Sequence, residues 1–289
     1  MSAPQSTGRV GLFSSCLPGW DSHRVIDAAR SMQFAAIEWG AGPEQALERG
    51  QDPAAVMELC AAAGVGISGL SVQDHHVTVA TPRRAAPYVR MAGELGARFI
   101  RLFAPPYRGG SLAREQSKAR AGLDALVDRA ATDGIVVLVE TSPGTLAPTP
   151  GLAAALVEHH APKQAGVLFD PGNTVIEGYL APALAVARLG PHLHHLHVKN
   201  IAWRKVSGAW AWQYAPLTGG MLVWPEILDT LAIAGYRGGF SIDHLSGAPT
   251  PERLRSETRR LRTLLSEVSP GGSGSDSNPK GGVPSPAHA

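Results

Sequence analysis

Residues 135–140 read IVVLVE, five aliphatic side chains in a row followed by a carboxylate. The run is too short for a helix and lacks the polar alternation of a half-exposed strand, so it fits a strand buried on both faces. Residues 166–170, GVLFD, repeat the pattern and again end on an acid. Working outward, comparable apolar runs occur at residues 10–13, 35–38, 66–71, 98–103, 194–199 and 239–243. Stretches with helical spacing lie between several of them, at 21–32, 54–63, 83–95, 112–131, 224–234 and 251–268. Asp21, Asp52 and Thr81 stand where N-caps belong, and Gly64, Gly96 and Gly134 where helices should stop. Strands alternating with helices imply parallel βαβ units. Eight such repeats over about 260 residues suit an α/β chain folded as a single-domain (β/α)8 TIM barrel. An open doubly wound sheet fits the same alternation, and periodicity alone does not separate the two.

The remaining sequence bounds the problem. The chain has 289 residues, 44% hydrophobic and 17% charged, so it can bury a large core and is not disordered as a whole. Its 26 basic and 24 acidic residues nearly cancel, which leaves no electrostatic footprint for nucleic acid or an anionic membrane. Cys16 and Cys60 form neither a CxxC pair nor a disulfide framework. With a polar N-terminus and no long apolar run, these features point to a cytoplasmic protein. Residues 1–9 read as a flexible N-terminus, 10–268 as the barrel, and 269–289, rich in Gly, Ser and Pro, as a disordered tail.

In such a barrel the chemistry sits at the C-terminal ends of the strands. Four successive runs deliver Glu140, Asp170, His197 and Asp243 to that rim. One acid at a strand end is ordinarily a turn or cap residue; four in succession favour a site. Three carboxylates and an imidazole suit an octahedral, oxygen-preferring ion, Mn2+ first with Mg2+ or Co2+ as alternatives, better than structural Zn2+. Such an ion beside a carboxylate base could support removal of a proton next to a carbonyl through an enediolate.

IEWG at 37–40, LVET at 138–141, FDPGN at 169–173, HLHVKN at 195–200 and GYRGGFSID at 235–243 together carry a likeness. In order and spacing they resemble the sugar phosphate isomerase/epimerase family of xylose isomerase-like barrels. That family includes hydroxypyruvate isomerases, ketose 3-epimerases and inosose dehydratases, and the resemblance runs over residues 10–268. It implies that Glu140, Asp170, His197 and Asp243 bind the metal and that Glu140 and Asp243 are the catalytic acid–base pair. Two positions depart from the pattern: Asp243 stands where the family usually has Glu, and Leu146 where the epimerases have a second, substrate-contacting Glu.

For substrate contacts we assign Glu38, His76, Lys199, Trp203 and Arg204. Glu38 ends the second strand and orients substrate or a metal ligand; the bland alternative is a buried carboxylate tied to backbone. Only one of the adjacent His75 and His76 can face the pocket. Arg101, inside the fourth strand, could point inward as a charge partner. Strand alternation puts His195 on the face of His197, whereas His244 is expected to point away from the interior. Trp203, Trp210, Trp212 and Trp224 cluster around the seventh loop, either as a pocket wall for a sugar or as a subunit contact in a homo-oligomer.

Gly64, Gly66 and Gly69 spell GxGxxG, but they close a helix and enter a strand, the reverse of a dinucleotide site. The basic run RLRSETRRLR at 253–262 reads as the solvated face of a last helix. The expected activity is metal-dependent isomerisation or epimerisation of a small ketose, keto sugar or cyclitol. Inosose-type dehydration, a non-catalytic sugar-binding relative and an endonuclease IV-like phosphodiesterase are the alternatives; balanced charge and Asn173 weigh against the last.

Overall fold

A computed structural model describes residues 10–47, 51–178 and 180–268 of the chain. The expected flexible N-terminus and disordered tail lie outside those residues. Eight parallel strands close into a barrel: β1 (Val10–Phe13), β2 (Ala36–Ala41), β3 (Gly66–Val72), β4 (Phe99–Phe103), β5 (Val136–Glu140), β6 (Ala165–Phe169), β7 (Leu193–Val198) and, after an inserted hairpin, β10 (Gly239–Ile242). They follow one another around the ring in chain order, and β10 closes it between β7 and β1. These are the eight apolar runs of the sequence, each within a few residues of its expected bounds. Closure selects the barrel over the open sheet.

The outer helices are α1 (Ser22–Ser31), α2 (Pro53–Ala63), α3 (Pro82–Glu94), α4 (Leu112–Ala130), α5 (Pro150–Val157), the short α6 (Pro171–Glu177), α7 (Pro182–Leu189), α8 (Trp224–Ile233) and α9 (Pro251–Glu267). Asp21 caps α1 by accepting from the Arg24 N–H at 2.8 Å, and Asp52 caps α2 by accepting from Ala54 at 3.0 Å. Thr81 does not cap α3. Its hydroxyl oxygen accepts from the Thr78 N–H at 2.8 Å, closing the preceding turn instead. Gly64 ends α2 in the left-handed conformation expected of a C-cap glycine, which disposes of the GxGxxG reading.

Residues 200–215, anticipated only as loop, form an antiparallel hairpin of β8 (Asn200–Val206) and β9 (Ala209–Ala215). A two-residue turn, Ser207–Gly208, joins them with φ of 49° and 86°. Both values are positive, as the turn that suits the twist of a hairpin requires. The Ser-Gly pair was the signal available for it.

Two apolar regions result from alternation along the strands. One packs between the sheet and its helices. The other lies inside the barrel, where Phe99, Leu138 and Leu168 cluster on β4, β5 and β6. Two residues further along the same strands come Arg101, Glu140 and Asp170, so the site rests on an apolar floor supplied by the same face of each strand.

α4 packs closely enough on the loop between β3 and α3 to demand glycine at one helical position. A Cβ on Gly122 of α4 would stand 2.2 Å from the Val79 carbonyl oxygen and 2.8 Å from the Ala80 Cα, both backbone atoms that cannot swing aside. Gly122→Ala should therefore lower stability by about 1–3 kcal/mol despite the better helix propensity of alanine. Urea denaturation checks this, and a variant as stable as the parent would show that α4 can shift freely.

Candidate metal and catalytic site

Glu140 is the last residue of β5, and Asp170 and Asp243 directly follow β6 and β10. His197 lies within β7, and the Asp243 N–H donates to the Val198 carbonyl at 3.1 Å, which fixes the β10 end against β7. The four side chains converge. His197 Nδ1 lies 3.6 Å from Glu140 Oε1, 3.8 Å from Asp170 Oδ2 and 3.8 Å from Asp243 Oδ1. All four residues are buried.

Each group is held by a neighbour. Asp170 is the N-cap of α6 as well as a site carboxylate: its Oδ1 accepts from the Asn173 N–H at 3.0 Å, which leaves Oδ2 for the site. Asp170 therefore acts as a helix cap with one oxygen and faces His197 with the other. The Asn173 side chain then donates to Glu140 Oε1 at 3.1 Å and to the Thr141 carbonyl at 3.0 Å. Arg101, fully buried, sets its Nε 3.1 Å from Glu140 Oε2 and donates from Nη1 to the Val72 carbonyl at 2.8 Å. Phe13 stacks on the His197 ring with centroids 4.9 Å apart.

Glu38 is entirely buried and faces the histidines. Its Oε1 lies 2.9 Å from His197 Nε2, its Oε2 lies 3.3 Å from His195 Nε2, and it accepts from the Ser71 hydroxyl. With Nε2 engaged by a carboxylate, His197 presents Nδ1 to the site, an arrangement common behind metal-bound imidazoles. His195 shares the inward face, as expected, and lies 2.7 Å from the Ser241 hydroxyl.

Lys199 enters the cluster itself. Its ammonium lies 2.6 Å from Asp170 Oδ2 and 2.8 Å from Asp243 Oδ2. His244 corrects an expectation: it folds back, with Nδ1 3.2 Å from Asp243 Oδ1 and its ring 4.2 Å from that of Tyr214 on β9. Tyr214 had no motif to mark it; only the hairpin fold brings it over Asp243 and Lys199. His76 and Arg204 are exposed, on the loop after β3 and on the hairpin, and neither joins the cluster. His75 is exposed as well, with its ring stacked on Phe103 at 5.2 Å. Trp203 is half-buried on β8 opposite Trp212, and Trp210 is 68% exposed near the hairpin turn. Trp224 is core, its indole N–H donating to the Lys199 carbonyl at 3.0 Å. Leu146 is also buried in the core, so that position offers the site no carboxylate.

Electrostatics follow from the crowding. Burial by itself would raise the Glu38 carboxyl, but His197 and His195 outweigh it and hold the group well below the usual range. Burial likewise opposes ionisation of Glu140, yet the Arg101 guanidinium keeps it lowered. For Asp243, His244 and Lys199 overcome burial and keep the group well below its usual range. Asp170 goes the other way: burial raises it, Lys199 opposes, and Asp243 and Glu140 add to the rise. Burial disfavours the charged form of His197, but Glu38 and Asp243 lift it well above an ordinary histidine. Burial also works against the Lys199 ammonium, which Asp170 and Asp243 nevertheless stabilise.

Two observations show that these residues fit a divalent cation. First, His197 Nδ1 is buried without a hydrogen-bond partner while facing three carboxylate oxygens. Their separations of 3.6–3.8 Å from Nδ1 fall between the neighbouring and opposite spacings, about 3.0 and 4.2 Å, of an octahedral ion with bonds near 2.1 Å. Second, the charges call for one. Glu38, Glu140, Asp170 and Asp243 face the fixed cations Arg101 and Lys199, and part of the difference is carried by the proton that Glu38 and Asp243 favour on His197, which a cation bound at Nδ1 would displace. Among the described residues, a cleft of about 400 Å³ lined by Trp20, Glu44 and Gln45 lies between the loops that follow β1 and β2, and none of the site side chains lines it.

Comparison with known proteins agrees with the fold. A family model described as xylose isomerase-like TIM barrel matches residues 26–264, and the chain belongs to that family. A search of curated sequences finds no match. Among solved structures, a xylose isomerase domain protein from Planctomyces limnophilus is 20% identical with a TM-score of 0.72, covering 90% of this chain and 97% of that one. A D-tagatose 3-epimerase-like protein is 20% identical with a TM-score of 0.73, over 90% and 98% of the two chains. A xylose isomerase-like TIM barrel protein from Mycobacterium smegmatis, in complex with magnesium, is 19% identical with a TM-score of 0.66, over 86% and 88%. No helix among the described residues is long and apolar enough to cross a membrane.

Arg101 tests the electrostatic account. Removing it would leave Glu140 buried and unpaired, so Arg101→Met should cost about 3–5 kcal/mol of stability. Denaturant unfolding with and without Mn2+ checks this, and the loss should shrink when the ion is present.

Proposed function

We propose that this barrel removes a proton from the carbon beside the carbonyl of a small keto sugar and returns it, as a metal-dependent isomerase or epimerase. The observation that carries the reading is the convergence of three carboxylates on the orphaned Nδ1 of His197. The D-tagatose 3-epimerase-like neighbour supports the substrate class, and the magnesium complex of another supports the ion. Mn2+, Mg2+ or Co2+ suits the oxygen-rich donors.

Glu140, Asp170, His197 and Asp243 would hold the cation. When bound, it polarises the carbonyl and stabilises the enediolate. Glu140 is ionised and oriented by Asn173 and Arg101, so it can accept a proton without first losing one. Asp243 is also held ionised, so it would serve as the second proton carrier only after taking up a proton from a substrate hydroxyl or water. Lys199, kept as an ammonium, is a hydrogen-bond donor to a substrate oxygen beside Asp170 and Asp243. Tyr214 and His244 cover Asp243 from the hairpin side and limit access of water there. Trp203, Arg204 and His76 remain candidates for outer substrate contacts, and the balanced charge of the chain favours a neutral sugar over nucleic acid.

The test is to strip and reload the protein with Mn2+ and incubate it with ketoses in D2O. Carbon-bound hydrogen beside the carbonyl should exchange only with metal present. Glu140→Gln should lower that exchange by about 100- to 10,000-fold with the ion still bound. Full turnover by this variant would remove Glu140 from the chemistry. Loss of water from substrate would identify a dehydratase, and sugar binding without exchange a non-catalytic relative.

A further inference from the structure

The outside of the barrel carries a second group of metal-ligating side chains, unrelated to the strand ends. Asp124 is on α4, and His159 and His160 occupy the turn that follows α5. His159 Nε2 lies 2.8 Å and His160 Nε2 2.9 Å from the same oxygen, Asp124 Oδ1. Adjacent residues in a strand would point to opposite sides; here a turn brings both imidazoles to one side, with ring centroids 4.1 Å apart. His160 Nε2 is buried and, despite its closeness to Oδ1, makes no aligned hydrogen bond. One carboxylate oxygen thus faces two ring nitrogens and satisfies only one of them.

The corner is braced independently of these three residues. Arg120, one turn before Asp124, donates from Nε at 3.0 Å and Nη2 at 2.7 Å to the Ala155 carbonyl, tying α4 to α5. Arg188 of α7 pairs with Glu158 at 2.9 Å. Both nearby guanidinium groups are therefore engaged elsewhere, and the backbone that presents the imidazoles is fixed from two sides.

We propose that Asp124, His159 and His160 bind a zinc-class divalent cation, with the fourth position open to water. Two imidazole nitrogens and one carboxylate oxygen favour Zn2+, Ni2+ or Cu2+ over Mg2+ or Mn2+, the reverse of the oxygen-rich site inside the barrel. A tetrahedral ion with bonds near 2.0–2.1 Å sets its ligands about 3.3 Å apart, so the two nitrogens need only back away from Oδ1 by about 0.5 Å. His159 and Asp124 are 39% and 51% exposed, which leaves them room to do so. The bound ion would clamp α4 to the turn between α5 and β6.

The experiment uses tag-free full-length protein freed of metal by a chelator and titrated with Zn2+ and with Co2+. One equivalent of Co2+ should show the intense visible absorption of a four-coordinate ion. That signal should persist in His197→Ala, or in parent protein preloaded with Mn2+ if that variant does not fold. His159→Ala, an exposed substitution, should fold normally, lose the signal and bind Zn2+ about tenfold more weakly or worse. Asp124→Asn should weaken binding in the same direction, and in protein preloaded with Mn2+ a further addition of Zn2+ should raise the Tm of the parent more than that of His159→Ala. The proposal is overturned if His159→Ala keeps the parent's Zn2+ stoichiometry and Tm shift. It is equally overturned if the Co2+ signal disappears with His197, or if binding outside the barrel requires about millimolar Zn2+.

Discussion

Four carboxylates buried within one barrel interior are the constraint around which the rest of this structure is arranged. An isolated buried charge costs several kcal/mol, and only near-ideal partners recover it. Glu140 has the Arg101 guanidinium on one oxygen and Asn173 on the other. Asp170 has the N-terminus of α6 and Lys199. Asp243 has Lys199 and His244, and Glu38 has His195, His197 and Ser71. Every partner comes from another strand or from the helix or loop just beyond one. The barrel must therefore close in a single register for any of the charges to be tolerated, and the site's geometry and the strand register stabilise each other.

This dependence explains what could be read from the sequence and what could not. The strands were legible because two-sided burial makes them continuous apolar runs, and the rim was legible because each of four runs meets a polar residue at or near its end. Glu140, Asp170, His197 and Asp243 needed no knowledge of partners. Glu38 did: it ends an apolar run like the others, yet its role is set by His197, 159 residues away in the chain. His244 was expected to point outward because strand alternation was extended two residues beyond β10, where the backbone no longer follows it. Tyr214 was hidden inside a segment read as loop, since its place over the site exists only once Ser207–Gly208 reverses the chain.

The HLHVKN segment at 195–200 shows how fully one strand and its exit can be committed to the site. Its odd-numbered members face inward: His195 against Phe99 of the apolar floor, His197 among the carboxylates, Lys199 between Asp170 and Asp243. Leu196 and Val198 point the other way and join the packing beneath the helices. Asn200 then ties the base of the hairpin, with its side-chain nitrogen donating to the Leu217 and Leu222 carbonyls at 2.7 and 2.9 Å and its oxygen accepting from the Leu222 N–H at 3.0 Å. The fit leaves no space for a side chain at Gly220, where a Cβ would fall 2.1 Å from the Asn200 oxygen. Trp224 locks the same junction by donating to the Lys199 carbonyl. Because the hairpin is anchored at the residue that follows Lys199, Tyr214 is held above the ammonium and Asp243. The cover over the site thus inherits its position from the strand that supplies the imidazole.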